Sequence, residues 1–144
     1  MSVISTAVLA IVNKLGAVPP VSSQIDRIRL RPLARSSDSA IVVRLLRAEA
    51  TDLIELASAG PSVWDITVAI ECYARASAGT APDAAVDTLL SAVYARLMND
   101  TTLGNQVNHI EAQSIAYDFD ADDQQTACAT LQMNVRQIAT TLSL

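Results

Sequence analysis

Aromatic side chains are scarce: five in 144 residues, Trp64, Tyr73, Tyr94, Tyr117 and Phe119. So few rings leave little for a stacking platform of the kind that holds single-stranded nucleic acid. A core must instead come from Ala, Val, Ile and Leu, which dominate an apolar fraction of 51%. Glycine is equally sparse. The four, at positions 16, 60, 79 and 104, never cluster, which excludes a P-loop and a dinucleotide-binding fingerprint. The single histidine, His109, cannot found a histidine-rich metal site. Two cysteines, Cys72 and Cys128, are too few for a disulfide framework, and their apolar, strand-like surroundings read as buried free thiols. No apolar run approaches the roughly 20 residues of a membrane span. The apolar start, Val3 to Leu15, has no basic segment before it and carries Lys14 where a signal-peptide core would end. The expectation is a soluble chain made in the cytoplasm.

Charged residues are also few, 17% against the usual quarter, and mean hydropathy is +0.30. Both argue against disorder and for one domain, residues 1–144, with part of its surface covered by a partner or by copies of itself. The net charge of −5 is unevenly placed. Residues 1–72 hold seven bases and seven acids, whereas residues 73–144 hold three bases and eight acids. That balance disfavours non-specific binding to nucleic acid, where phosphate neutralisation dominates affinity, and no specific nucleic-acid binding is expected either. Nine of the ten bases are arginine, the residue suited to planar, bidentate contacts at interfaces.

Periodicity divides the chain. Ile4, Ala7, Val8, Ile11 and Leu15 recur at helical spacing, with Ser2 as N-cap and Gly16 as stop, and Val3, Leu9, Ala10 and Val12 broaden the apolar face. From Ile25 the period is two: Ile28 and Leu30 alternate with Arg27, Arg29 and Arg31 up to Pro32, a strand near a sheet edge. Residues 35–39 read as a turn and Ala40 to Ala48 as a second strand in a hairpin with the first. Thr51 to Ala59 reads as either a short helix or an extended loop. Val63 to Arg75 alternates most cleanly, with Trp64, Ile66, Val68, Ile70, Cys72 and Ala74 on one face. Thr80-Ala-Pro82-Asp83 predicts a helix start capped by Thr80, followed by the stripe Val86, Leu89, Leu90, Val93 and Leu97. Val107 to Phe119 is strand-like with irregular alternation. Thr126 to Ile138 is the final strand, with Ala127, Ala129, Leu131, Met133 and Val135 inward. This order predicts an α+β fold, a mainly antiparallel β-sheet with two principal helices packed on one face.

Chemistry is harder to find. A Cys–His nucleophile pair would need His109 beside Cys72 or Cys128, and a lone strand histidine more commonly satisfies a local hydrogen bond. Asp118-Phe-Asp120-Ala-Asp122-Asp123 starts like a calcium loop, but Asp123 replaces the turn glycine and Ala129 the bidentate glutamate. The plainer reading is a solvated acidic hairpin tip. No metal or cofactor is expected, and no enzyme. The Arg27/Arg29/Arg31 stripe reads as a solvated edge, a phosphate site or an interface. Residues 27–47 hold six arginines and one acid, and residues 97–144 hold six acids and one arginine. A basic and an acidic region on one small domain can meet head to tail, and such a heterologous contact repeated with rotation closes into a ring. Arg27, Arg29, Arg31, Arg44 and Arg47 are the candidate subunit or tube interface. Asp118, Asp120, Asp122 and Asp123 are the candidate acidic lumen or ring face.

Three stretches together resemble the bacteriophage tail-terminator family, related to minor tail protein U. The first is Arg29-Leu-Arg31-Pro32-Leu33-Ala34 with Ala40-Ile41-Val42-Val43. The second is Val68-Ala-Ile-Glu71-Cys72-Tyr73 leading to Ala85-Val-Asp-Thr-Leu-Leu90. The third is Leu97-Met-Asn-Asp100-Thr-Thr-Leu103-Gly104, then Ile115-Ala-Tyr117-Asp118 and Ala129-Thr-Leu-Gln-Met-Asn-Val135. Asn105 stands where the family often has a second glycine, and the usual aromatic or basic ending is replaced by Ala139 to Leu144. The resemblance implies a non-catalytic virion protein, assembled in the bacterial cytoplasm. It would form a homo-hexameric ring on the tail tube, stop polymerisation and present a head-joining surface. Its partners would be itself, the tube protein and a head-completion or connector protein, with no membrane. The alternatives are another head–tail connector or tail-completion adaptor, a host oligomeric binding module, and a small hydrolase using a cysteine with His109.

Overall fold

The computed structural model describes residues 2–27, 38–51, 62–119 and 126–139. In chain order these form α1 (Val3–Gly16), β1 (Ile25–Asp26), β2 (Ser39–Thr51), β3 (Ser62–Arg75), α2 (Pro82–Met98), β4 (His109–Phe119) and β5 (Thr126–Ala139). The strands make one sheet in the order β1-β2-β3-β5-β4. Every neighbouring pair is antiparallel except β1–β2. The fold is α+β, as the pattern of elements predicts.

Each helix is specified locally. The Ser2 hydroxyl accepts a hydrogen bond from the Ser5 amide at 3.1 Å, capping α1, and Ala7, Val8, Ala10, Ile11 and Leu15 face the core. Gly16 is not the left-handed stop expected for it; it is the last helical residue and Ala17 beyond it is extended. What secures this end lies far away in sequence. The Arg96 guanidinium of α2 donates to the carbonyls of Lys14 (3.3 Å), Ala17 (2.8 Å) and Pro19 (2.6 Å). A cation placed on orphan carbonyls at a helix C-terminus also complements the helix dipole. The N-cap of α2 is Ala81, with no side-chain cap bond and Pro82 in the first turn. Thr80 therefore does not cap it: its backbone pairs with Ser77 in a small bridge instead. Pro82 needs no amide partner at that position, so the helix can start without a capping hydroxyl.

Both helices pack on one sheet face. Ile41 and Val43 of β2, the even positions 66–74 of β3, and the odd positions 127–135 of β5 meet Val86, Leu90, Val93 and Leu97 of α2 and the buried face of α1. At about 25 cal/mol per Å² of apolar surface removed from water, this layer is the main stabilising element. The predicted inward residues of β3 and β5 occupy it.

The expected pairing of the first two strands needs correction here. The first strand is not one arm of a hairpin: Ile25 and Asp26 run parallel to Ile41 and Val42. Parallel neighbours cannot be joined by a two-residue hairpin turn. The irregular alternation of β4 has a physical cause, a register shift between Ala112 and Ser114 that leaves Gln113 extra. A matching shift in β2 leaves Leu46 extra between Leu45 and Arg47. The expectations for residues 28–37 (the rest of the arginine strand and most of its turn) and for residues 52–60 lie outside the described residues.

Between α2 and β4 the backbone turns through three successive left-handed residues, Leu103 (φ 50), Gly104 (φ 71) and Asn105 (φ 63). Asp100 holds the turn by accepting from the Thr102 amide and hydroxyl and from the Gly104 amide. These bonds to the charged form hold the Asp100 carboxyl below its ordinary range. Asn105 suits this position, since asparagine adopts the left-handed region more readily than other non-glycine residues.

Candidate functional site

The sequence nominated two groups of charge, and the strand order decides how they lie. Arg44 and Arg47 are exposed on β2, with Arg27 exposed just beyond β1, at one side of the sheet. Glu111 and Asp118 are exposed on β4, the opposite edge. Arg29 and Arg31 of the basic set, and Asp120, Asp122 and Asp123 of the acidic set, lie outside the described residues.

Of the charges on β2 and β4, Arg44, Arg47, Glu111 and Asp118 also share a face. Arg44 sits opposite Ala69 and Arg47 opposite Thr67, while Glu111 sits opposite Asn134 and Asp118 opposite Cys128. All four partners point away from the helices, because their strand neighbours on either side fill the helix-side core. Across this face the registers link Arg47, Thr67, Asn134 and Glu111 in one row.

This face, which carries no helix among the described residues, is largely polar. Glu71 is only 7% exposed, and it accepts from Arg44 Nη2 at 2.8 Å and from the Tyr73 hydroxyl at 3.0 Å. Asp65 and Arg136 pair across β3 and β5, with Nε to Oδ1 at 3.1 Å, which raises the guanidinium pKa further. Gln132 donates to Gln113 at 3.3 Å, and Asn134 donates to Glu111 at 3.5 Å. The buried Oδ1 of Asn134 has no hydrogen-bond partner. A small apolar cluster of Ala40, Val42 and Tyr73, with Cys128 against it, completes the face.

The other face of the same two edges carries exposed apolar side chains. On β4, Ile115 (46% exposed) and Tyr117 (50%) sit opposite Leu131 and Ala129, on the helix side but exposed. On β2, Leu45 (47%) sits opposite Val68, also on the helix side, and the bulged Leu46 is equally exposed. Sequence reasoning missed these residues, since bulges at positions 46 and 113 break the alternation that would have placed them.

The alternative chemistries find little support in the geometry. His109 pairs with Arg136, whereas Cys128 pairs with Asp118 and Cys72 with Ala129. Seven to eight strand residues, about 25 Å, separate either thiol from the imidazole along the sheet. The cysteines are free; Cys72 is buried among core residues on the helix side, and burial pushes its thiol up to about 12. Cys128 is half-buried rather than buried as expected. Among the described residues no group of His, Cys, Asp and Glu is placed to hold a metal ion. No described helix is long and apolar enough to cross a membrane. An open groove between α1 and the 103–106 turn, lined by Leu9, Ala10, Lys14 and Leu103, gathers no convergent titratable groups.

No protein-family model matches this sequence, and no curated protein matches it. Among solved structures the fold is similar to the sheath/tube terminator of an extracellular contractile injection system (PVC), determined by cryo-electron microscopy in the extended state. The TM-score is 0.53 at 13% sequence identity. The likeness covers 97% of this chain but only 58% of that terminator, so the chain spans little more than half of its length.

Proposed function

We propose that this chain is a structural, tail-terminator-like protein. Copies of it close into a hexameric ring on the end of a tail tube, stop the tube from growing and offer the surface to which a head is joined. The observation that carries this reading is the fold likeness to a sheath/tube terminator over nearly the whole chain. The surface is consistent with it: opposed charge towards the two sides of the sheet, with exposed apolar side chains beside it. The role is non-catalytic and needs no cofactor. In this reading the partners are the chain itself, the tube protein and a head-completion or connector protein, and assembly takes place in the bacterial cytoplasm. The acidic segment 118–123 would face the ring opening, where like charge discourages DNA from sticking.

The test is electron microscopy of particles from a phage or prophage with this gene deleted. Overlong or ragged headless tails, restored by the intact gene, support the reading. Tails of normal length refute it, and normal tails left unjoined to heads assign the chain to a connector instead.

A further inference from the structure

We infer that the outer edge of β4 in one copy docks against the outer edge of β2 in the next, so that subunits join head to tail by extending the sheet. The inference deepens the ring proposed above and rests on it. It names the two surfaces that meet, and the occupant of each is a second copy of this chain.

Four observations converge on this pairing. First, among the described residues nothing pairs with the outer edge of β4, nor with that of β2 beyond Val42. Such edges present rows of unpaired amides and carbonyls to a neighbouring strand. Second, strand direction is right. β2 and β5 run one way and β3 and β4 the other, so copies related by rotation about an axis along the strands bring β4 antiparallel to the neighbour's β2. Antiparallel is the more stable pairing per residue.

Third, the charges complement. Between His109 and Phe119, β4 carries Glu111 and Asp118 and no arginine or lysine, whereas β2 carries Arg44, held by Glu71, and Arg47, whose Nη1 lies 3.6 Å from the exposed Glu49 carboxylate. In register Arg47 is level with Glu111, and both lie on the face away from the described helices. A copy docked without stagger therefore places the neighbour's Arg47 opposite Glu111. Pairing β4 with another β4 would instead bring acid towards acid. Fourth, the helix-side faces match as well. Leu45 is level with Ala112 and Val43 with Ile115, so a neighbour's Leu45 stands diagonally across from Ile115. Diagonal cross-strand neighbours lie about 7–8 Å apart, within reach of long side chains. One contact between residues 109–115 of β4 and 43–49 of β2 thus covers Leu45 and Ile115 and pairs Arg47 with Glu111 on the reverse face, and it stops where β1 already pairs with Ile41 and Val42.

The experiment uses the full chain in a Cys128→Ser background at high protein concentration. Leu45→Cys and Ile115→Cys variants are mixed with a short thiol crosslinker that tolerates a two-residue offset in register. Thr88→Cys, on the exposed face of α2, serves as the collision control. Linkage between the unlike variants, with neither variant linking to itself, is expected, and the double variant should give a ladder ending at the closed ring. Arg47→Glu should lower the yield several-fold, and adding Glu111→Arg in the same chain should restore it. Self-linkage of Ile115→Cys, linkage no greater than the control, or failure of the second charge reversal to restore the yield would each overturn the inference. A native hexamer mass without Leu45–Ile115 links keeps the ring and discards these edges. Normal tails on gene deletion discard the terminator reading whatever the links show.

Discussion

Replacing Arg96 with methionine keeps the length and much of the packing of the side chain while removing every donor. The structure sets the expected cost. Two of the three carbonyl contacts are short, 2.8 Å to Ala17 and 2.6 Å to Pro19, and the third, to Lys14, is 3.3 Å. A hydrogen bond with one charged partner nets about 1.5–3 kcal/mol where water is excluded. Arg96 is only half-buried and two of these bonds are exposed, so each short bond is better set at about 1 kcal/mol and the long one near zero. The sum is about 2 kcal/mol, which for a chain of this size lowers Tm by about 4–8 °C. Arg96→Lys retains one point donor and should lose about half as much, because an ammonium cannot span two carbonyls in a fixed fork. Urea titration followed by far-UV circular dichroism reads both, with the slope unchanged if only the native state is affected. A loss below about 0.5 kcal/mol, or a lysine variant equal to wild type, would refute the reasoning. It would mean that water serves these carbonyls as well as the guanidinium does.

Two further outcomes follow from the interior. Arg44→Met leaves the nearly buried Glu71 carboxylate with the Tyr73 hydroxyl as its remaining side-chain donor and should cost about 2 kcal/mol, discounted for the half-exposed arginine. The double replacement Arg44→Met with Glu71→Met should cost less than Arg44→Met alone in the same urea titration; an equal or larger loss would show that the carboxylate was never dependent on its cation. In the native protein a thiol reagent at pH 8 should modify Cys128 readily and Cys72 only on global unfolding. With a pKa of about 12, roughly one Cys72 thiol in ten thousand is ionised at that pH. Two equally fast thiols would contradict the packing of β3 against the helices.

Local pattern made much of this fold legible. The five helical-spaced apolar residues of α1, the alternation of β3 and the inward set of β5 all fall where periodicity puts them, since a single buried face imposes its period on the sequence. Long-range and irregular features were not legible. Arg96 acts on carbonyls 77 to 82 residues away, a relation that leaves no local trace. The extra residues Leu46 and Gln113 shift the parity of their strands, so Ile115 and Tyr117 continue on the helix side in odd positions although Ile110 and Ala112 occupy it in even ones. Most consequential is the strand order. The β4–β5 hairpin could have joined β3 through either strand; it joins through β5, which is buried along its whole helix side and half-buried along much of the other. That burial left no trace in residue type: Asn134 and Gln137 are buried on β5 although both are polar, whereas exposed residues predominate along β4. Only this choice places β4, and with it the acidic half of the candidate interface, at the edge opposite the arginines.

The contrast between the two sheet faces has a consequence for how the sequence can change over generations. On the helix side the constraint is volume: residues such as Ile70, Leu131 and Met133 can exchange with one another's types so long as the shared space stays filled. On the other side the constraint is reciprocity. Asp65 with Arg136, Glu71 with Arg44, Gln132 with Gln113 and Asn134 with Glu111 each join two strands, so a change at one position lowers fitness until its partner changes too. Relatives of this chain should therefore drift singly among aliphatic residues beneath the helices and in matched pairs across the open face. Under the edge pairing inferred above, an unpaired change at Arg47 or Glu111 would record a substitution that a neighbouring copy must answer.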